Sequence, residues 1–137
     1  MVNGRNKGAA WERTVAKMLF DELGVEFSRD LRQYQKSDLG DLICDDPTWP
    51  FVLELKRYAA GYTYQQSWWD QVVKAADAAR KEPVLIYKFD HRPIFVVMRL
   101  AFITQDETYE NERAILTWSG FIQVARETWS DPHRFNQ

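Results

Sequence analysis

Apolar residues follow two rhythms along this chain. From about Ala9 to Leu23, Trp11, Val15, Met18, Leu19 and Leu23 recur at three- and four-residue spacing, which predicts an amphipathic helix. Gly24 supplies a left-handed cap to stop it. Met1 to Gly8, with Arg5 and Lys7, reads as a mobile polar arm, and Val25 to Ser28 as a first strand. After a basic, polar stretch, two short apolar runs are broken by single charges: Gly40-Asp41-Leu42-Ile43 and Phe51-Val52-Leu53-Glu54-Leu55-Lys56. The segment between them holds Asp-Pro and Trp-Pro, both turn formers, so the runs fold back as an antiparallel hairpin. With its tip at Asp46 to Trp49, Asp45 faces Pro50 and Asp41 faces Glu54. Side chains alternate along a strand, so Glu54 and Lys56 share one face while Leu53 and Leu55 take the other.

Arg57 to Gln65 follows as a connection rich in tyrosine (Tyr58, Tyr62, Tyr64), with Ala59-Ala60 and Gly61 as hinge-like points. Gln66 to Lys81 is a second predicted helix, with Trp68, Val72, Ala75, Ala76 and Ala79 along one stripe and Gln71 one residue off it. Its alanines permit close approach to a sheet. Pro83 to Phe89 is a buried strand, Asp90 to Pro93 a turn, and Ile94 to Leu100 a further strand. A hairpin followed by strand–helix–strand predicts a mixed sheet with helices against it. Residues 101–113 read as irregular and acidic, Ala114 to Trp118 as an extra strand, and Ser119 as the cap of a last helix reaching about Glu127. The tail from Ser130 to Gln137 is polar. One domain of 1–137 is expected, with a core over about 4–100 and an extension over 101–137.

The length of 137 residues suits one domain with a real core. No apolar run approaches the ~20 residues of a membrane span, and the N-terminus does not read as a signal peptide. One cysteine, Cys44, excludes an internal disulfide and a cysteine-rich zinc site, so a cytoplasmic location is expected. His91 and His133 have no companions, and no serine or cysteine triad is visible. A net charge of −2 argues against a generic nucleic-acid coating protein. The charge is uneven, however. Residues 1–36 carry seven Lys/Arg against five Asp/Glu, 37–60 two against five, 61–100 six against four, and 101–137 three against six. An acidic centre between basic flanks suits a metal-dependent enzyme acting on a polyanion.

The chemistry concentrates in the hairpin. Directly opposed residues have side-chain carbons about 4.5–5.5 Å apart. Two carboxylates that close repel, and apolar neighbours strip their hydration. A cation belongs between them, either Lys56 or a divalent metal. Oxygen ligands without cysteine or histidine suit magnesium. The competing reading of Glu-x-Lys on a strand is a solvated ion pair. Glu12, in the first turn of the predicted helix, has a competing role in complementing the helix dipole. Arg29, Arg32 and Lys36 read either as a solvated loop or as phosphate contacts. The tyrosines and Trp68/Trp69 are candidates for base stacking, but aromatics at helical spacing fit core or dimer contacts better.

Glu12 on a helix, then Asp41, then Glu54-x-Lys56, then Gln71 on a helix, with Lys7-Gly8, Arg29 and Ser37-x-x-Gly40 around them, resembles the PD-(D/E)xK nuclease superfamily. Within it the chain is most similar to the archaeal-type Holliday-junction resolvases and related small bacteriophage nucleases. The likeness runs from about Gly4 to Leu100. Gly40 departs from the common pattern, which often has proline there. The resemblance implies an α/β, restriction-endonuclease-like core of order αβββαβ, a mixed sheet flanked by helices. It implies that Asp41 and Glu54 bind Mg2+, for which Mn2+ can substitute, with the Leu55 carbonyl as a third ligand. Glu12 would hold a water of the metal or a second metal. Lys56 would orient or deprotonate the attacking water, with Gln71 and Ser37 assisting near the scissile phosphate. Arg5, Lys7, Arg29, Arg32, Lys36 and Ser37 are the expected nucleic-acid contacts.

The expectation is therefore a magnesium-dependent endonuclease of branched DNA such as a four-way junction, acting as a homodimer because resolution needs two symmetric nicks. The alternatives are a restriction-like or repair nuclease on linear, nicked or single-stranded DNA, a non-catalytic nucleic-acid or protein-binding module with the same fold, and a structural or inhibitory protein using exposed aromatics.

Overall fold

The computed structural model describes residues 4–29 and 41–130, with side chains described for 8–28 and 41–128. The first helix, α1, runs from Gly4 to Leu23. It therefore starts inside the segment expected to be an arm, and Trp11, Val15 and Leu19 bury its stripe. The helix runs through Gly4 and Gly8 despite their weak helix propensity. Gly24 (φ +70°) ends the helix as expected, its N–H donating to Phe20 O at 2.8 Å.

Strands β1 (Phe27–Arg29), β2 (Leu42–Cys44) and β3 (Phe51–Tyr58) follow. β1 begins two residues later than expected, and β3 runs two residues past Lys56. The hairpin register is as read from the sequence: Leu42 pairs with Leu53, so Asp41 falls opposite Glu54 and Asp45 opposite Pro50. The connection between β2 and β3 is more than a turn. Trp49 is buried there, edge-on to Phe27 at 5.0 Å and to Phe51 at 5.2 Å. A ring of that area anchors the hairpin to the core.

Helix α2 (Gln66–Ala79) carries the chain to β4 (Glu82–Phe89), which pairs with β3 in parallel along its whole length. Arg80, in the left-handed conformation, ends α2 before Lys81. β5 (Phe95–Arg99) and β6 (Arg113–Thr117) complete an antiparallel side, giving one six-stranded sheet in sequence order β1 to β6. Residues 101–113 are not irregular throughout. They include helix α3 (Leu100–Thr104) and a 3-10 turn at Glu107–Tyr109, because Ala101 and Phe102 are buried against the core.

The last helix, α4, spans Trp118–Ser130. Its cap is Thr117, whose hydroxyl accepts the Gly120 N–H at 3.1 Å, and not Ser119. Strand β6 ends at Thr117, so the helix starts at Trp118, two residues earlier than a cap at Ser119 would allow.

Two cores sandwich the sheet. On one face α1, α3 and α4 pack Trp11, Leu19, Phe102 and Phe121 against Leu53, Leu55, Ile86 and Met98. On the other face α2 packs Trp68, Val72 and Ala76 against Val52, Leu85, Tyr87 and Val97. Phe102, Phe121, Ile122 and Ala125 thus make residues 101–128 contribute to the same core, and Arg126 joins α4 to Glu22 of α1 at 2.9 Å. Among the described residues no helix is long and apolar enough to cross a membrane.

Candidate active site

Strand β3 sorts its residues by parity. Leu53 and Leu55 enter the α1 side of the core, while Val52 enters the α2 side. Glu54, Lys56 and Tyr58 therefore project toward the α2 side. Glu54 is only 3% exposed. Lys56 is half-buried one step further along the strand.

Asp41 stands at the entrance to β2 and binds β3 twice. Its N–H donates to Leu53 O at 3.0 Å, and its Oδ2 accepts the Leu55 N–H at 2.7 Å. The carboxylate thus satisfies an edge amide of β3 where the strand ladder gives out. The carbonyl of a strand residue points the same way as its N–H, so Leu55 O lies on the Asp41 side. The expected ligand at this position is that carbonyl; the N–H of the same residue, which the sequence does not reveal, is what fixes the aspartate.

Across the sheet face, Gln71 of α2 donates from Nε2 to Glu54 Oε1 at 2.8 Å. Gln71 thus faces the site and not water. Glu12 is not in a first helical turn. It lies in the middle of α1, 7% exposed, so complementing the helix dipole is not its role. Its negative charge acts on both Asp41 and Glu54.

The electrostatics follow from this crowding. Burial raises the Asp41 carboxyl to about 6, and the Glu12 charge adds to the rise, while the Leu55 N–H and Lys56 oppose it. Burial raises Glu54 further, to about 8; the Asp41 charge adds to this and Lys56 opposes it. The two carboxyl groups are within hydrogen-bonding reach of each other. At neutral pH such a pair holds a shared proton or attracts a cation.

This donor set fits a hard divalent cation. Each carboxylate commits one oxygen to a fixed N–H donor and has a second to offer. Among the described residues no group of three or more acidic, histidine or cysteine side chains is placed to hold a metal ion, so the pair would need backbone and water ligands beside it. Two carboxylates and a carbonyl, with water for the remainder, is the donor pattern magnesium commonly takes.

The structure thus brings together Glu12, Asp41, Glu54, Leu55, Lys56 and Gln71, from α1, the β2–β3 hairpin and α2. The expected nucleic-acid contacts are placed differently. Arg5 and Lys7 lie on α1 and Arg29 ends β1, with their side chains outside the described residues; Arg32, Lys36 and Ser37 lie outside them altogether. Trp68 and Trp69 are core residues, at 6% and 7% exposure. The sequence puts Tyr58 in the connection after the strand, yet it continues the Glu54–Lys56 face. The period of two, carried one step further, would have found it.

The sequence matches a family model described as "Phage putative PDDEXK endonuclease" over residues 3–130. That span extends past residue 100 and includes β6 and α4. Among solved structures, the chain is similar to Hjc, a Holliday junction resolvase of the archaeal hyperthermophile Archaeoglobus fulgidus. The TM-score is 0.49 and the identity 16%, over 66% of this chain and 70% of that one. No curated protein matches the sequence.

Proposed function

This chain belongs to the family of phage PDDEXK endonucleases and is a nuclease of the PDDEXK type; from that premise we propose that it is a magnesium-dependent endonuclease that nicks branched DNA, such as a four-way junction, as a homodimer. The observation that carries the reading is the buried Asp41–Glu54 pair, opposed across the hairpin with Lys56 beside it. Asp41, Glu54 and the Leu55 carbonyl would hold the ion. Bound there, a divalent ion supplies Lewis-acid activation of water and charge relief at the phosphate.

The chain's own residues do the rest. The Leu55 N–H fixes the Asp41 carboxylate and Gln71 fixes that of Glu54, so neither has to reorganise as charge develops. The Lys56 ammonium orients a water and stabilises negative charge on the phosphate oxygens. Glu12 adds negative charge beside the pair, which strengthens its hold on cations. Two sites related by a two-fold axis provide the symmetric nicks that junction resolution requires. The setting is the cytoplasm, that of the host if a phage encodes the chain.

The test is a gel assay on a labelled four-way junction and a linear duplex of matched sequence, with magnesium, with EDTA, and with Glu54→Ala. Symmetric nicking of the junction alone, lost in EDTA and in the variant, is the expected result. Equal cutting of the linear duplex would remove the preference for branches. Undiminished cutting by Glu54→Ala would remove the site.

A further inference from the structure

Beyond Lys56 the strand face continues to Tyr58, the last residue of β3. Two residues of strand advance about 7 Å, so Tyr58 stands about 7 Å past Lys56 and about 13 Å past Glu54. One side of its ring lies flat on Trp68, with ring centres 5.1 Å apart and planes only 4° from parallel. Trp68 is buried, whereas Tyr58 is 45% exposed. The stack therefore has a covered inner ring and an open outer one. Helix α2 builds both subsites: Gln71 meets Glu54, and Trp68, one turn earlier, meets Tyr58.

The surroundings are fixed in place. The Asp90 N–H donates to Tyr58 O at 3.1 Å, holding the strand end to the turn that carries exposed His91 and Arg92. The loop from Ala59 to Gln65 is pinned at two points. Gly61 lies so close to the Phe89 ring that a Cβ would stand 2.3 Å from it, and the Tyr64 ring packs 5.8 Å from that of Tyr87. Tyr62 projects from this loop at 86% exposure.

An aromatic face open to solvent, backed by a second ring and aligned with phosphate-acting residues, is the form of a nucleobase platform. Resting on the proposed nuclease reading, we infer that Tyr58 is a stacking subsite for an unpaired or unstacked base next to the nicked phosphate, with Tyr62 flanking it. A base inside a regular duplex has no free face to offer. The platform therefore selects DNA whose stack is interrupted at the cut, and it is sequence-tolerant because every base has a π-face. The exposed Arg92 supplies a cation for the phosphate next to that base.

The test scans an abasic site, then 2-aminopurine, through the nucleotides on each side of the nick in a four-way junction. It reads single-turnover nicking in magnesium and 2-aminopurine fluorescence in EDTA. The proteins are wild type, Tyr58→Phe and Tyr58→Leu, the last chosen to keep Trp68 covered. The expected result is one responsive position. There Tyr58→Leu and the abasic site each slow nicking by roughly five- to a hundredfold and together cost no more than either alone. Tyr58→Phe retains wild-type rate and quenches 2-aminopurine, whereas Tyr58→Leu does not. Wild-type indifference to the abasic site at every position overturns the inference without recourse to a variant. So does nicking by a stably folded Tyr58→Leu within twofold of wild type. Quenching by a wild type that nicks nothing would sink the nuclease reading and leave the stacking subsite standing.

Discussion

Replacing Glu54 with glutamine should make the metal-free protein more stable while abolishing its activity. The unfolded carboxyl titrates at 4.5 and the folded one near 8, chiefly through burial, with Asp41 opposing ionisation as well. The folded state therefore binds more protons than the unfolded state between those values, and stability falls as pH rises through that window. At pH 7, about two and a half pH units above the unfolded value, keeping Glu54 protonated in the fold costs roughly 3 kcal/mol. Glutamine carries no such cost. Its carbonyl oxygen still accepts from Gln71, and its amide donates to Asp41. For a domain of this size the gain corresponds to a melting temperature higher by about 10 °C. Thermal unfolding in EDTA of wild type and Glu54→Gln, from pH 4 to pH 8.5, measures it. The two curves should converge near pH 4, where both side chains are neutral, and separate progressively above pH 5. An equally or less stable variant at pH 8, or a gap that does not change with pH, would refute this account of the pair.

Gln71→Leu removes the donor that fixes Glu54, a hydrogen bond to a charged group, and should lower nicking about ten- to a hundredfold without unfolding the protein; steady-state rates with a parallel melt decide it. Gly61→Ala sets a methyl group 2.3 Å from the Phe89 ring and should cost about 1–3 kcal/mol by denaturant titration. Thr117→Ala leaves the Gly120 N–H without its cap and should cost about 1 kcal/mol, whereas Ser119→Ala should cost a few tenths at most. Circular dichroism melts compare the two.

The site was more legible than the ends of the elements that hold it. Turn chemistry between Cys44 and Pro50 set the hairpin register, and the register alone brought Asp41 opposite Glu54. Side-chain parity then fixed which face carries Glu54 and Lys56, because a strand between two cores leaves no freedom to slip. Elsewhere local preference misleads. Gly4 to Gly8 looks like an arm yet extends α1, which also moves Glu12 from a helix terminus into the buried middle. Trp49 looks like part of a turn but is a core ring, and Phe102 hides a short helix in an acidic stretch. Thr117 and Ser119 carry the same capping hydroxyl, so only the end of β6 decides between them. No periodicity could reveal that an aspartate side chain would replace a strand partner at the Leu55 N–H.

Calorimetric titration of magnesium into wild type and Asp41→Asn, repeated at pH 7 in buffers of different ionisation enthalpy, tests the central claim most directly. Magnesium should bind wild type and displace the proton that the crowded Asp41–Glu54 pair holds at that pH, and the aspartate variant should show neither binding nor proton release. Equal binding by both proteins, or nicking by a wild type that binds no magnesium, would contradict the assignment of this pair as the nuclease site.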